Sequence, residues 1–498
     1  MGGKVSQDAI RHRVQGPCRV RAVACLALLL LAGCAVGPNY VEPAAPPPTR
    51  TDLQEAEGNR AVVNAPVPER WWRLFDDALL DRLIEKALAN NNDVRIAAAN
   101  LQRARALLAE AGAARLPTSE ASASATENRV AATGDTPAAK TDYYSVGYDA
   151  SYEIDLFGRV SRSIEASRGD VAAARAQLDA ARVSIAAETA RTYADICGFA
   201  AQAAAARETV VLQQKTLDLT QRLLAGGRNT QREVDQAIVL VEQARAQIAT
   251  FEAERRASVY ALAVLTGDTP AEADQNAAQC AAVPVIRQAL PVGDGQGLLA
   301  RRPDVRQAER TLAADTARIG VATAALYPSI TLLGSISLGA ADISDVGKKP
   351  GLAYSVGPLL SFNFPFNGAA RARVRENRAI AAGSLATFDQ SVLNALKETE
   401  QALARLAGAL EREASLQRAL AASNSAAAIS ERRFDYGADS FLQLLDAQRD
   451  RATSRAALAE AQTARANAQV SLFKALGGGW ENAPDATAVP SRGSTGAP

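Results

Sequence analysis

Apolar and polar residues alternate in two segments that share the tetrapeptide YSVG, at Tyr144–Gly147 and Tyr354–Gly357. In "YSVGPLLSFNF", aromatic and aliphatic side chains occupy every second position, and mostly Ser, Gly and Asn stand between them. The segment "SITLLGSISL" and, more weakly, "SEASASAT" follow the same rule. A period of two is typical of a β-strand with two different faces. The pattern therefore predicts two strand pairs, at about 119–154 and about 329–364.

Helical spacing dominates the rest of the chain. A run without Pro extends from Phe157 to Gly226, is rich in Ala, and is followed by a second helical stretch over about 230–265. A similar run extends from Phe366 to the "LGGGW" near the C-terminus. Ala has the highest helix propensity, and a long helix with a narrow apolar seam must pack on other helices. We expect Gly226 and Gly437, which fall between helical runs, to form the turns of two antiparallel hairpins.

The order of these elements occurs twice along the chain. Arg222, Gly226 and Asp235 have counterparts 211 residues later, and the two YSVG segments are 210 residues apart. A nearly constant offset indicates a tandem duplication of one structural unit. The predicted organisation is a signal segment (1–33), an extended segment (34–70), two repeats (71–280 and 281–480) and a disordered tail (481–498).

The predicted strands are long enough to cross a bilayer when tilted. A small soluble sandwich is the alternative, but the polar face carries mostly small uncharged residues, as a lumen would, and the apolar face carries aromatic residues. Four strands cannot enclose an interior, and open edges in lipid leave backbone groups unpaired. Several copies must then pool their strands, and three copies give twelve, enough for an open pore.

The N-terminus has the features of a lipoprotein signal. Four Arg residues precede the apolar run "AVACLALLLLAG", which is too short to span a bilayer and ends in "LAGC" at Cys34. We expect cleavage before Cys34, which would then carry acyl chains and anchor the protein to a membrane. The alternative is an ordinary secretory signal with a chance Cys.

Composition excludes several kinds of chemistry. The single His of the chain, His12, lies in the segment expected to be removed, so the mature chain holds no His-dependent triad and no His-ligated metal. The formal net charge of +1 gives no reason to expect a nucleic-acid partner. No phosphate-binding loop of the GxxxxGK[ST] type is present. We expect no enzymatic activity, no cofactor and no metal. Cys197 and Cys280 are left as either a disulfide or two buried thiols.

A set of motifs in chain order resembles one known family. They include "LAGCAVGPNY", "ASYEIDLFGR", "LLARRPDVRQAE", "YSVGPLLSFNFPF" and "ALGGGW". These resemble the TolC/NodT-type outer-membrane factors, lipoproteins of RND-type tripartite efflux systems, over nearly the whole chain. The resemblance implies an α+β membrane protein: a homotrimer with a twelve-stranded outer-membrane β-barrel, four strands per chain, continued by an α-helical coiled-coil tunnel across the periplasm.

The same resemblance implies partners and a gate. The partners would be a periplasmic adaptor, an inner-membrane RND-type pump and outer-membrane lipid. The tunnel closes at its periplasmic tips in this family, and the closing residues correspond to Leu442 and Asp446, with Asp235 as the first-half counterpart of Asp446. Three Asp446 carboxylates at a narrow mouth would attract cations. Without the resemblance, the sequence favours a solvated helix residue at Asp446, paired with Arg449.

The expected function is a passive exit duct for small molecules, with drugs and other toxic compounds as the favoured cargo. Four alternatives stay open: a metal efflux duct, a type I secretion duct, a periplasmic adaptor-like coiled-coil lipoprotein, and a secreted enzyme on a helical scaffold. An adaptor would lack strand pairs with aromatic faces, as would a simple coiled-coil rod. An enzyme would need catalytic groups other than His.

Overall fold

The computed structural model describes residues 35–44, 47, 52–132, 134, 137–280, 282–362 and 368–480. The predicted signal segment, the predicted lipid-bearing Cys34 and the predicted tail lie outside the described residues. The chain divides into two compact units. Of the described residues, the first unit comprises those up to Tyr40, Leu108–Arg168 and Ala314–Ala381, and the second comprises Val41–Leu107, Gly169–Ala313 and those from Ala382 onward.

Helices account for most of the described chain. In order they are α1 Ala78–Asn90, α2 Asn92–Ala113, α3 Arg159–Ala225, α4 Gln231–Leu265, α5 Gln275–Ala278, α6 Gly295–Arg301, α7 Pro303–Ala324, α8 Gly368–Asp435 and α9 Phe441–Ala475. The strands are β1 Val62–Val63, β2 Thr118–Val130, β3 Ala139–Ile154, β4 Leu290–Pro291, β5 Ser329–Ala340 and β6 Leu352–Ser361. Short 3-10 turns lie at Gln54–Ala56, Trp71–Phe75, Pro270–Glu272, Ile343–Asp345 and Lys349–Gly351.

The first unit contains an antiparallel sheet of four strands in the order β2-β3-β5-β6. The alternation in the sequence predicts all four strands, and each forms close to the predicted bounds. In the register, Tyr148 pairs with Ile336, and Ile336 pairs with Tyr354. Cross-strand partners share a face, so these side chains form one apolar row across three strands.

The opposite face of the sheet is lined by small hydroxyl side chains. The Oγ atoms of Ser124 and Ser145 are 2.9 Å apart, and those of Ser335 and Ser355 are 2.8 Å apart. Both faces are largely solvent-exposed in the single chain, with Tyr354 80% exposed. Within the described residues, β2 and β6 each pair on one side only. A single chain therefore has two unpaired strand edges and an uncovered apolar face.

Two long helices have nearly equal length, 67 residues in α3 and 68 in α8. Each spans about 100 Å at ~1.5 Å per residue. Neither contains Pro, and both are rich in Ala, so no residue within them breaks the hydrogen-bond ladder. Each is followed by a helix of 35 residues, α4 or α9, across a short turn.

The two turns have the same geometry. After α3 the backbone N–H of Gly227 bonds Leu224 O and that of Arg228 bonds Leu223 O, and Gly227 has a φ of +70°. After α8, Gly437 has a φ of +73° and the same pair of bonds. This is the Schellman arrangement, in which Gly adopts the left-handed conformation at low cost. Gly437 is the turn residue as predicted. In the first hairpin Gly226 lies within the turn, and the left-handed residue is its neighbour Gly227.

A large apolar core lies in the second unit, where parts of α1, α3, α4, α8 and α9 contribute buried side chains. Trp71 stacks on Phe473 with the ring centroids 5.0 Å apart. The Tyr193 hydroxyl in α3 donates to Asp77 Oδ2 at 2.9 Å, and Asp77 caps the start of α1. These contacts anchor the middle of α3 to the helices around it.

A disulfide joins Cys197 in α3 to Cys280, which follows α5. The two residues are separated by 83 positions, and Cys197 is fully buried. Of the two arrangements that the sequence leaves open, the structure has the disulfide. Residues 198–225 of α3 and all of α4 lie between the two cysteines. The bond therefore closes the base of the first hairpin, which is the end away from its turn.

Among the described residues, no helix combines the length and the apolar character that a membrane span requires.

Candidate functional site

The turns of the two hairpins, both in the second unit, carry the residues expected to form a gate. The start of each return helix is fixed by a capping box. The carboxylate of Glu233 accepts the N–H of Thr230 at 2.8 Å, and Gln443 Oε1 accepts the N–H of Ser440 at 2.7 Å. Capping satisfies backbone groups that a helix end leaves unpaired. Thr230 and Ser440 are therefore structurally equivalent positions.

Leu442 and Asp446 lie on one exposed face of α9, four residues apart. The Leu442 residue is 61% exposed, an unusual position for a large aliphatic side chain. The Asp446 carboxylate lies 3.7 Å from Arg449, and both side chains are more than half exposed. Such an exposed pair contributes little to stability. The first turns of α9 thus present one apolar and one acidic group outward.

Asp235 is not the structural counterpart of Asp446. Counted from the helix caps, the counterpart of Asp446 is Gln236, because α4 and α9 begin exactly 210 residues apart. Asp235 instead matches Leu445, and its carboxylate accepts a hydrogen bond from Gln231 at 2.9 Å. The sequence alignment at an offset of 211 is therefore wrong at this position, because the first hairpin carries two adjacent Gly residues in the turn.

A polar contact stiffens the turn of the second hairpin. Asp439 Oδ1 accepts from Arg433 Nε at 2.7 Å, and its other oxygen accepts from the Ser430 hydroxyl at 3.1 Å. The Asp439 side chain is only 10% exposed, so the charge-assisted bonds are partly shielded from water. In the first hairpin the corresponding positions hold Thr220, Leu223 and Asn229. The two turns therefore differ in side-chain chemistry although their backbones match.

The two hairpins pack on each other through an apolar cluster close to the turns. Its buried members come from α3, α4 and α9: Leu217, Val234, Ala237, Val241, Phe441 and Leu445. Phe434 of α8 lies against Phe441 with ring centroids 6.1 Å apart. Phe441 and Leu445 are thus buried while Leu442 between them is not, so the helix holds the gate candidates outward from a fixed base.

A buried hydrogen bond joins the hairpins one turn beyond this cluster. Gln448 Nε2 donates to Thr216 Oγ1 at 2.8 Å, and both residues are at least 95% buried. Sequence reasoning missed this pair, because Thr and Gln are ordinary surface residues. One signal was present: Gln448 follows Leu444 by four positions, which places it on the buried face of α9.

Further contacts continue along α3 and α9, and we call this line of contacts the α3/α9 seam. Asn467 Nδ2 donates to Asp195 Oδ1 at 2.7 Å, and Arg455 forms an ion pair with Glu208. Between them, Gly198 faces the side chain of Thr463 at close range. The seam ties the first hairpin to the second over most of the length of α9.

No group of three or more Cys, His, Asp or Glu residues in the described part of the chain is placed to hold a metal ion. The described site thus offers an apolar group, an acidic group and a set of inter-hairpin contacts.

Comparison with known proteins decides which kind of protein carries this arrangement. A family described as outer membrane efflux protein matches residues 83–268 and 295–478, which is most of the chain. The chain belongs to the outer membrane efflux protein family. The resemblance identified from the motifs is confirmed.

Relatives within the outer membrane efflux family match over almost their whole length. The solvent efflux pump outer membrane protein SrpC of Pseudomonas putida is 32% identical over 93% of this chain and 99% of its own. The outer membrane protein OprJ of Pseudomonas aeruginosa is 32% identical over 92% of this chain and 95% of its own. The outer-membrane channel OprN has a similar solved structure, with 34% identity, a TM-score of 0.84, and coverage of 90% of this chain and all of that one.

Membership of the family establishes function and location at a coarse level. The protein is an outer-membrane channel subunit of an efflux system, as predicted. The fold is that of the outer-membrane channels, mostly helical with one antiparallel sheet of four long strands.

Proposed function

We propose that the protein is a lipid-anchored homotrimer that serves as the passive exit duct of a tripartite efflux system. Three chains would pool their four strands into a twelve-stranded barrel in the outer membrane. The helices would continue it as a coiled-coil tunnel into the periplasm, where a periplasmic adaptor and an inner-membrane RND-type pump would bind. Energy would come from the pump, and the duct itself would carry out no enzymatic reaction.

The single-chain sheet is the observation that carries this proposal. Among the described residues, its outer strands β2 and β6 each have one unpaired edge, and Tyr148, Ile336 and Tyr354 form an exposed apolar row. Lipid tolerates such a row but does not tolerate unpaired backbone groups. Pairing β2 of one copy with β6 of the next would satisfy both edges and turn every apolar row outward.

The internal duplication is part of the same proposal. The matching lengths of α3 and α8, and of α4 and α9, support it, as do the two identical turn geometries. Two similar hairpins per chain give six hairpins in a trimer. Arranged side by side, the six hairpins would form the wall of the tunnel.

Lipid anchoring would be through Cys34. The short apolar run that ends in "LAGC" supports it, because a lipoprotein signal peptidase acts before a Cys in this context. Two or more acyl chains would hold the subunit stably to the membrane.

The gate is proposed at Leu442 and Asp446. Their exposure on one face of α9 supports a role at an opening, where three copies of each would form an apolar ring and an acidic ring. Opening would be a movement of the hairpin turns between two states on binding of the pump or adaptor. Asp235 is not included, because its position matches that of Leu445.

Small organic molecules are the proposed cargo. SrpC is named for solvent efflux and the relative TtgI for toluene efflux, whereas the relative CusC is named for cation efflux. The only His and the only Met of this chain are His12 and Met1, so the mature subunit has no thioether or imidazole for soft-metal transfer. A type I secretion duct is the remaining alternative, and export of a protein rather than organic compounds would favour it.

The test is single-channel conductance in planar bilayers with the purified full-length protein. We expect small steps for the wild type and an increase of roughly twofold or more for Leu442→Ala combined with Asp446→Ala, because the constriction would become wider. The matched control is Arg232→Ala with Gln236→Ala at the equivalent positions of α4, which should leave conductance unchanged. Unchanged conductance in the first variant would remove the gate, and no channel at all would contradict the duct.

A further inference from the structure

Three arginines form a row on the first turns of α8, within the first unit. Arg371, Arg375 and Arg378 are spaced by four and three residues, which places them one above another on one face of the helix. All three are exposed, and none has an ion pair or a side-chain hydrogen bond to another described residue. Like charges at this spacing repel one another, so the set, which we call the arginine row, needs negative charge from outside.

The carboxylates of the same unit do not offset the arginine row. Glu376 is the only acidic residue in the first three turns of α8, and residues at adjacent positions do not share a helix face. On the other helices of the unit, Glu165 pairs with Arg162 at 2.8 Å and Asp315 pairs with Arg318 at 2.6 Å. These carboxylates already have a cation each.

A second copy of the chain would not supply the missing charge either. In the proposed ring, β6 of one copy lies beside β2 of the next, which brings the end of α2 towards the start of α8. The last turn of α2 and its link to β2 carry one exposed carboxylate, Glu110, and one exposed cation, Arg115. The arginine row would therefore stay an exposed strip of positive charge in the assembly.

The arginine row follows the end of the sheet at which all four long strands meet a helix. Strand β6 ends at Ser361, and Arg371 comes ten residues later. At the same end of the sheet, the ring of Phe157 stacks on that of Tyr327 with the centroids 4.6 Å apart. Aromatic residues at the ends of barrel strands are typical of a membrane–water interface.

The N-terminal segment is a second indication that this end of the sheet meets the membrane. The N–H of Val36 donates to Phe157 O at 3.1 Å. Ala35 lies against Gly158, where an added Cβ would be 2.7 Å from the Ala35 Cα atom. Because Ala35 follows the predicted lipid-bearing Cys34, the acyl chains of the proposed anchor would enter the membrane at this end.

We propose that the arginine row binds the phosphate headgroups of anionic phospholipids in the leaflet on the helix side of the sheet. Guanidinium groups bind phosphate oxygens through paired hydrogen bonds, and basic clusters beside a membrane-crossing segment bind anionic lipid. The row is about 10 Å long, from the rise of an α-helix. This length suits the headgroup layer of one leaflet, which is roughly 5–8 Å thick.

The placement of the arginine row at the membrane rests on the proposed function, because it requires the sheet to cross the outer membrane. The lumen is the other surface that the row could face. Three copies would then place all their guanidinium groups in one bore without matching carboxylates, and their mutual repulsion would oppose assembly. Phosphate headgroups outside the barrel remove that repulsion.

The test measures binding of phosphatidylglycerol, labelled with a fluorophore on one acyl chain, to the purified full-length protein in neutral detergent. Phosphatidylcholine with the same label is the zwitterionic partner, and fluorescence anisotropy measures both affinities. We expect the wild type to prefer phosphatidylglycerol by about tenfold or more. Arg371→Gln with Arg375→Gln and Arg378→Gln should lower this preference to about threefold or less, because each arginine beside anionic lipid contributes about fivefold in affinity.

The matched control is Arg405→Gln with Arg418→Gln and Arg432→Gln, which removes three exposed arginines from the part of α8 in the second unit. The control should keep the preference of the wild type. An equal loss in both triple variants would show that net charge alone sets the preference, and would overturn the proposal. So would an unchanged preference in the first variant, or full displacement of the lipid by millimolar inorganic phosphate.

Folding is checked by circular dichroism and trimer formation by gels without heating. If the first triple variant does not fold, Arg375→Gln alone decides, with an expected loss of about fivefold against none for Arg418→Gln. A triple variant that folds but forms no trimer, where the wild type does, would place the arginine row at a contact between copies and overturn the proposal.

The two proposals fail separately. A preference for phosphatidylglycerol that depends on the arginine row, in a protein that forms no channel, would support lipid binding and contradict the duct. Channel activity without that preference would support the duct and overturn lipid binding at the row.

Discussion

Single residues decide how closely the two hairpins approach. At Gly198, an added Cβ would lie 2.3 Å from the Oγ1 atom of Thr463 and 2.6 Å from its Cγ2. Only a residue without a side chain fits at that point of the α3/α9 seam. Gly408, which stands 210 residues later on α8, has open space in the same direction.

We therefore expect Gly198→Ala to lower the midpoint of thermal unfolding, with an overpacking cost of about 1–3 kcal/mol. Gly408→Ala is the matched control, and it should be neutral or stabilising by up to about 1 kcal/mol because Ala favours the helix. Circular dichroism at 222 nm of the detergent-solubilised proteins gives both values. An equal response of the two variants would mean that the helices are not in close contact at Gly198.

The buried carboxyl of Asp195 makes the same seam sensitive to pH. Burial raises the pKa of Asp195, while the hydrogen bond from Asn467 and the charge of Arg191 act in the lowering direction and Glu188 adds to the rise. A raised pKa in the folded state means that ionisation opposes folding. The contribution of this group to stability is therefore complete below its unfolded pKa and is lost as pH rises through the folded pKa.

Replacing Asp195 with Asn keeps an oxygen that can accept from Asn467 and removes the ionisation. We expect Asp195→Asn to unfold at a higher temperature than the wild type at pH 7, and the difference to shrink as pH falls towards 4. Asp450→Asn on the exposed side of α9 is the control and should show no such trend. A constant difference at all pH values would exclude ionisation of Asp195 as its cause.

The helices of the two hairpins are held in place chiefly at the turns and, in the first hairpin, at its base. The two capping boxes and the two Schellman turns set where α4 and α9 begin, and the disulfide between Cys197 and Cys280 closes the base of the first hairpin only. At the position equivalent to Cys197 in the second hairpin stands Ala407. The two hairpins thus have the same backbone plan and different constraints.

Removal of the disulfide should weaken the first hairpin. For a closed loop of this length, the loss of chain-entropy restriction amounts to about 4.5 kcal/mol. We expect Cys197→Ala with Cys280→Ala to unfold at lower urea than the wild type. The wild type treated with dithiothreitol should match the double variant, which should not respond to the reductant. Two free thiols in denatured, unreduced wild type would contradict the disulfide.

Much of the molecule was open to prediction from its sequence, and the missed parts share one cause. The alternation in the YSVG segments predicted the strands, because a strand with two different faces imposes a period of two on its own residues. The turn at Gly437 was predicted for a similar local reason. In the first hairpin Gly226 lies within the predicted turn, but its neighbour Gly227 holds the left-handed position that Gly437 holds in the second. Aligning Gly226 with Gly437 therefore put Asp235 one residue out of register with Asp446.

Contacts between residues that are far apart in the chain produced no comparable pattern in the sequence. The Thr216–Gln448 hydrogen bond joins positions 232 apart, and the disulfide joins positions 83 apart. The burial of Gln213 is likewise not evident from the sequence, since only the packing of α3 against α4 and α9 shows that its amide is buried. Such features depend on which helix faces pack together, and the local pattern of a sequence does not specify that packing.

In the proposed assembly, the same substitution should have different effects on the two faces of the sheet. We expect Val356→Arg, on the exposed apolar face, to reduce the amount of trimer in outer-membrane fractions, because Arg facing lipid costs about 2–4 kcal/mol per chain near the bilayer centre. Ser355→Arg, one residue away on the hydroxyl-lined face, is the control and should assemble. Trimer yield on gels without heating measures both. Equal assembly of both variants would argue against a lipid-facing apolar row.

The two bare edges of the sheet have a consequence for how many subunits gather. An edge strand offers only main-chain donors and acceptors, which are alike in every copy and at every junction. Backbone hydrogen bonding between edge strands therefore favours any closed ring of subunits and does not determine how many subunits the ring contains. In the proposed trimer, the number three would therefore be set by curvature, that is, by how far the small hydroxyl residues on one face and the bulky rings on the other bend four strands through a third of a circle.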